Sequence, residues 1–215
     1  MRLKLTRCVI GAVVATVSMA LTAQAATITN GSLTGPIANY GVPSGWVIVA
    51  GSPDTMDENH NVGTTGVPFQ SAPSGPSPDG GTWVGIGRAD SFIETFGQTV
   101  TGFSVGTQYV LSWYQGNFGA IVSPPHYVLD NAIQVLIDGS PTGAGSVIPS
   151  GPDWSTDSIV FTATSVSHQI DFTLLNPDPA YISIDGIALS VVPEPATLSL
   201  LALGGLALIS RRRKP

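Results

Sequence analysis

The side chains of this 215-residue chain that could do chemistry are few: three histidines, fourteen acids and one cysteine. A nucleophilic triad needs a serine or cysteine beside a histidine and an acid, and no Gly-x-Ser-x-Gly elbow surrounds any serine here. His60, His126 and His168 lie far apart, without the short fixed spacing of a zinc site, and they read as surface or loop residues. Glycosidase chemistry needs two carboxyls across a cleft. Glu94 is one candidate, but no second acid stands out beside it. The sequence therefore predicts a protein that is not an enzyme. Hard oxygen ligands are plentiful, so calcium is the ion the acids would hold, and Asp54, Asp57 and Glu58 form one such group. Aromatic platforms for a sugar ring are available in Trp46, Trp83, Trp113, Tyr114, Tyr127 and Trp154. Strand alternation turns Trp113 inward and Tyr114 outward, beside Gln115 and Asn117. Arg88 could clamp an acidic sugar or pair with nearby Asp90.

The ends of the chain decide what positions these residues. Arg2, Lys4 and Arg7 precede an apolar run from Cys8 to about Leu21, and Ala23-Gln24-Ala25 supplies a small-x-small cleavage pattern. That is the form of a secretory signal peptide over residues 1–25, whose removal takes away the only cysteine. The other end, Val191 to Pro215, carries Arg211, Arg212, Arg213 and Lys214. Between the two ends only Arg88 is basic against thirteen acids, a charge of −12. Such a body offers no basic patch, which excludes nucleic-acid binding.

Residues 26–192 are enough for one sizeable core. No stretch keeps the apolar spacing of an amphipathic helix, whereas Tyr109/Leu111/Trp113, Ile133/Val135/Ile137 and Ile170/Phe172/Leu174 alternate as half-buried strands do. Strands are predicted at Thr27–Asn30, Trp46–Ala50, Thr82–Ile86, Ile93–Val100, Gln108–Gln115, Ala132–Asp138, Ser158–Ala163, His168–Leu175 and Tyr181–Ser190. The fold class is all-β: a single antiparallel β-sandwich of jelly-roll type, between a signal peptide and a short C-terminal transmembrane helix. Ile182 and Ile184 share one parity but Ile187 and Leu189 the other, so a β-bulge is expected at Asp185-Gly186. Residues 51–81 show no strand pattern and read as one long connection of the kind that is often functional or mobile.

The tail has three parts in fixed order: Pro193-Glu194-Pro195, an apolar run from Ala196 to Ser210, and the basic cluster. Two prolines keep the tripeptide extended. The run that follows would rise about 22 Å as a helix, short of the ~30 Å hydrocarbon core. The basic cluster marks the cytoplasmic end. This arrangement resembles the PEP-CTERM sorting tail of exopolysaccharide-producing Gram-negative bacteria. The resemblance implies a precursor exported across the inner membrane and held there by its helix. An exosortase, a membrane cysteine protease, would then cut near Pro193, Glu194 and Pro195 and leave the body at the cell surface or outside.

The body also resembles the galactose-binding-like sandwiches of many carbohydrate-binding modules and of a plant cell-wall family of unassigned activity. The residues that carry this likeness are Asn30-Gly31-Ser32, Pro43-Ser44-Gly45-Trp46, Pro78 to Ile86, Phe96 to Val100, Gly106 to Trp113 and Ile184-Asp185-Gly186-Ile187. Members commonly place an aromatic and an acid after Asn-Gly-Ser, where this chain has Leu33-Thr34. The resemblance implies a structural Ca²⁺ between first and last strands, with Asn30 and Asp185 as side-chain ligands. It also implies an extracellular polysaccharide as partner, for which the outward Tyr114 and the lone cation Arg88 are the candidate contact residues. A non-binding spacer protein of the exopolysaccharide matrix and a secreted hydrolase are the alternatives.

Overall fold

The computed structural model describes residues 25–122 and 126–192, and none of these is helical. The expected signal peptide, residues 1–25, lies outside the described residues except for Ala25, as does the tail from Pro193 onward. Eleven strands follow in chain order. They are β1 (Val47–Ala50), β2 (Asp54–Met56), β3 (Trp83–Ala89), β4 (Phe92–Ile93), β5 (Thr95–Thr101), β6 (Gln108–Gly116), β7 (Ile133–Ile137), β8 (Ser140–Ala144), β9 (Ser155–Thr162), β10 (Ser167–Leu174) and β11 (Ala180–Val191). They form two antiparallel sheets, ordered β1-β5-β10-β7-β8 and β2-β3-β11-β6-β9, with β4 paired to β3. From β5 onward the chain crosses between sheets at almost every connection, the β7–β8 hairpin being the exception.

Alternation builds the core. Phe96, Val135, Ile170 and Phe172 of one sheet meet Ile86, Leu111, Trp113 and Ile184 of the other. Phe96 and Phe172 stack with centroids 5.6 Å apart, and Trp46 closes over both at 5.2 and 5.9 Å. The expected bulge is present: β11 slips against β6 between Asp185 and Ala188. Gly186 adopts φ +57° there, a conformation that costs other residues strain. The slip returns Ile187 to the core face.

Three expectations need correction. Thr27–Asn30 is not a strand. Asn30 has φ +50° and begins a turn closed by a hydrogen bond from Leu33 N–H to its carbonyl, which also accepts from Trp46 Nε1 at 2.8 Å. Residues 51–81 are not strandless, because β2 lies within them, and the connection is pinned across the sheet's outer face. Gln70 and Ser71 donate to Phe118 O, Ile121 to Pro68 O, and Ser74 to Pro152 O. His168 is not a surface residue but buried. Its Nε2 accepts the N–H groups of Thr164 and Ser165, so the proton sits on Nδ1 and is donated to Asp138 Oδ2 at 2.6 Å.

These loops create a second core. Met56, Trp83, Phe118 and Tyr181 are buried on the outer face of the β3–β11 sheet, with Phe69, Val122, Tyr127 and Trp154 packed over them. Gly85 makes the arrangement possible, because a Cβ there would lie 2.3 Å from Met56 Sδ and 2.4 Å from Tyr181 Cε1. Gly85→Ala should therefore cost about 1–3 kcal/mol, as overpacking does, and lower the thermal midpoint. An unchanged melting curve would show that this second core yields freely.

Candidate functional site

The outer face carries acids as well as aromatics. By parity β2 turns Asp54 outward with Met56, and β11 turns Tyr181, Ser183 and Asp185 outward, opposite to Ile182 and Ile184. Glu94 sits between β4 and β5, where its N–H donates to Gly87 O and folds the side chain back over β3. Asp54 and Glu94 then line a single cavity of about 150 Å³ together with Tyr40, Phe92, Tyr127 and Tyr181.

Both acids are almost wholly buried, at 4% and 2% exposure. Asp54 Oδ1 accepts the Tyr40 N–H at 3.0 Å, and its Oδ2 accepts the Tyr181 hydroxyl at 2.6 Å. Glu94 accepts the Ser52 hydroxyl at 2.9 Å on Oε1 and the Gly87 N–H on Oε2. Burial lifts the Glu94 carboxyl to about 7, outweighing these hydrogen bonds, and the charge of Asp54 adds to the rise. Burial raises Asp54 as well, despite the Tyr181 and Tyr40 bonds. Tyr181 is held well above its ordinary range by burial and then by the two acids. A carboxyl pair with a tyrosine hydroxyl between aromatic walls can hold sugar hydroxyls or a cation, and can exchange a proton near neutrality.

A second feature lies at the bulge. Asp185 is fully buried, and neither carboxylate oxygen has a hydrogen-bond partner. The Ser77 hydroxyl and the Gly186 N–H lie on its side without closing a well-formed bond. Burial, reinforced by Asp79, raises this carboxyl to about 7. A buried carboxylate left without partners fits a cation ligand. Asn30 is nearby through the backbone only: its neighbour Gly31 accepts the Ile187 N–H at 2.8 Å. The Asn30 amide closes its own loop, donating to Thr34 O and Ser44 O and accepting the Thr34 N–H. Among the described residues no three acids, histidines or cysteines cluster as a metal site, the Asp54/Asp57/Glu58 group included.

The other named residues are dispersed. Tyr114 faces outward beside the bulge, where a Cβ on Gly186 would meet its ring at 2.4 Å. Arg88 donates to the carbonyls of Leu174 and Leu175 at the end of β10 and makes no ion pair with Asp90. Asp57 pairs with His60 at 2.7 Å on the surface. Reading the sequence missed Asp54 as the partner of Glu94, because the two come together only through the pairing of β2 with β3. Parity with Phe96 and Val100 would place Glu94 in the inter-sheet core, so no local pattern in the sequence reports its turn toward the outer cavity.

Residues 191–214 match the PEP-CTERM protein-sorting motif. The tail is a PEP-CTERM sorting signal. The PEP-CTERM segment begins as β11 ends. No curated protein matches the chain in sequence. Among solved structures, the chain is similar to the enzymatically active domain of tailspike protein 4 of bacteriophage CBA120, with 14% identity and a TM-score of 0.46. That likeness covers 78% of this chain but only 21% of the tailspike chain, about a fifth of its length. A CBM61 module in complex with β-1,4-galactotriose is similar at 12% identity and TM-score 0.46, covering 77% of this chain and 99% of the module. The CBM22-1 xylan-binding domain of Xyn10C from Paenibacillus barcinonensis is similar at 12% identity and TM-score 0.45, over 80% and 99%.

Proposed function

We propose that this chain is an exported surface or matrix protein whose sandwich binds polysaccharide through the Asp54–Glu94 cavity. In this reading the PEP-CTERM tail holds the precursor in the inner membrane until an exosortase-type protease cuts near Pro193–Pro195 and releases the body. The observation that carries the binding half is the cavity itself: two buried carboxyls and a tyrosine hydroxyl face a space rimmed by Tyr40, Phe92 and Tyr127. Its volume, about 150 Å³, suits one sugar unit rather than a long groove. The purified exported protein should retain polysaccharide in a pulldown, and Glu94→Gln should weaken retention. A protein that retains no glycan is the matrix spacer instead. One observation favours hydrolysis as a second reading: a buried carboxyl at about 7 beside another acid is what a general acid requires. New reducing ends from an incubated polysaccharide would establish it.

The sorting half has its own test in the native host. Glu194→Ala, or deletion of residues 211–214, should leave an unprocessed precursor in the inner membrane. Processed extracellular product from both variants would sink that assignment.

A further inference from the structure

The cavity holds two acids and no basic side chain. The body's one arginine, Arg88, is engaged with the carbonyls of Leu174 and Leu175. Each oxygen of Asp54 and Glu94 accepts a single hydrogen bond and keeps a lone pair free. Two neighbouring carboxylates withdrawn from water are costly unless a proton or a cation compensates them. Among the described residues no basic side chain lines the cavity, so either the acids keep a proton or a ligand supplies the charge.

The walls decide which cation. A calcium ion asks for six to eight oxygens. Apolar and aromatic groups, Val62, Phe92, Ala120, Val122 and Tyr127, line the same cavity as the acids. An ammonium on a carbon ring satisfies both at once. Its N–H groups donate to carboxylates in charge-assisted bonds, while the ring's C–H face and the cationic centre lie against aromatic faces. Resting on the reading of this cavity as the glycan site, we infer that it selects a sugar bearing a free amine, a hexosamine without its N-acetyl group. The same acids repel uronic acids, and N-acetylation removes the charge the cavity asks for.

The test titrates the exported protein at about pH 7 with glucosamine, N-acetylglucosamine, glucose and glucuronate, read by calorimetry or chemical-shift change. Glucosamine should bind at least about tenfold more tightly than the other three, a difference near 1.4 kcal/mol. Glu94→Gln should abolish that preference. This variant is expected to fold, because the glutamine carbonyl can take the Gly87 N–H and its amide can donate to Ser52 Oγ. Asp54→Asn provides the second arm. Equal binding of the amine and neutral sugars, or a preference for a neutral sugar lost in Glu94→Gln, overturns the amine inference and leaves the glycan site standing. Binding of no sugar, or binding indifferent to both variants, overturns the site as well.

Discussion

Raising the pH of the chelator-treated protein from about 5 to about 8 should lower its melting temperature by more than ten degrees. The cause is the pair of buried acids, Glu94 and Asp185, each lifted to about 7 by desolvation. An acid whose folded value is raised stabilises the fold fully below its unfolded value and loses that contribution as pH climbs through the folded one. Between about pH 4 and 7 the unfolded chain has released both protons while the native state still holds them, so stability falls as pH rises. Each acid contributes about 3 kcal/mol by this linkage. For a domain of this size that is roughly 6–12 °C apiece. Asp54 and Asp171, also raised by burial, act in the same direction. Asp138 opposes them: the His168 hydrogen bond holds its carboxyl below the usual value, so its contribution fades only in stronger acid. Maximum stability should sit near pH 4, more acidic than the ordinary range of about pH 5–8. Glu94→Gln and Asp185→Asn should each flatten part of the slope, and a melting temperature level from pH 5 to 8 would refute the account.

Calcium should reverse the Asp185 part of that loss. At neutral pH, Ca²⁺ at 100 times its dissociation constant should stabilise the fold by about 2.7 kcal/mol, a rise of roughly 5–10 °C. The motive is the orphaned carboxylate at the bulge in a body of charge −12, beside the open cleft that Asp79, Gly31 and Gly186 line. An ion there would replace the partners that Asp185 lacks. Chelator should return the midpoint to its starting value, and Asp185→Asn should remove the response. If millimolar calcium leaves the curve unmoved, or if Asp185→Asn responds as the parent does, the bulge holds no ion.

What could be read from the chain was whatever repeats every second residue. Tyr109, Leu111 and Trp113 announced β6, and the parity break after Ile184 announced the bulge, because a one-residue slip inverts every later side chain. β2 and β8 were silent for a physical reason. Asp54-Thr55-Met56 is too short to show a period, and Ser140-Pro141-Thr142-Gly143-Ala144 is an edge strand, where proline is tolerated and little need be buried. Thr27–Asn30 looked extended, but what fixes it is a distant indole, Trp46, and no local pattern reports that bond. The same holds for the cavity. Forty residues separate Asp54 from Glu94 in the chain, and their meeting depends on strand pairing and on Gly87 offering its N–H. Burial of His168 likewise rests on Phe103 and Phe161, which reach it from elsewhere at 5.1 and 6.3 Å.

The position of β11 has a consequence for the timing of export. It lies in the interior of its sheet, hydrogen-bonded to β3 on one side and β6 on the other, and it carries Ile182, Ile184 and Ile187 into the core. Its last ladder bond, from Val192 N–H to Gln108 O, falls one residue before Pro193. A sheet missing its central strand cannot close, so folding must wait until nearly all of the body is available. In the export reading proposed above, the sorting segment follows the strand directly. Completion of the fold and arrival of the tail are therefore one event, and an exported chain of this design would cross without a folded core to obstruct its passage.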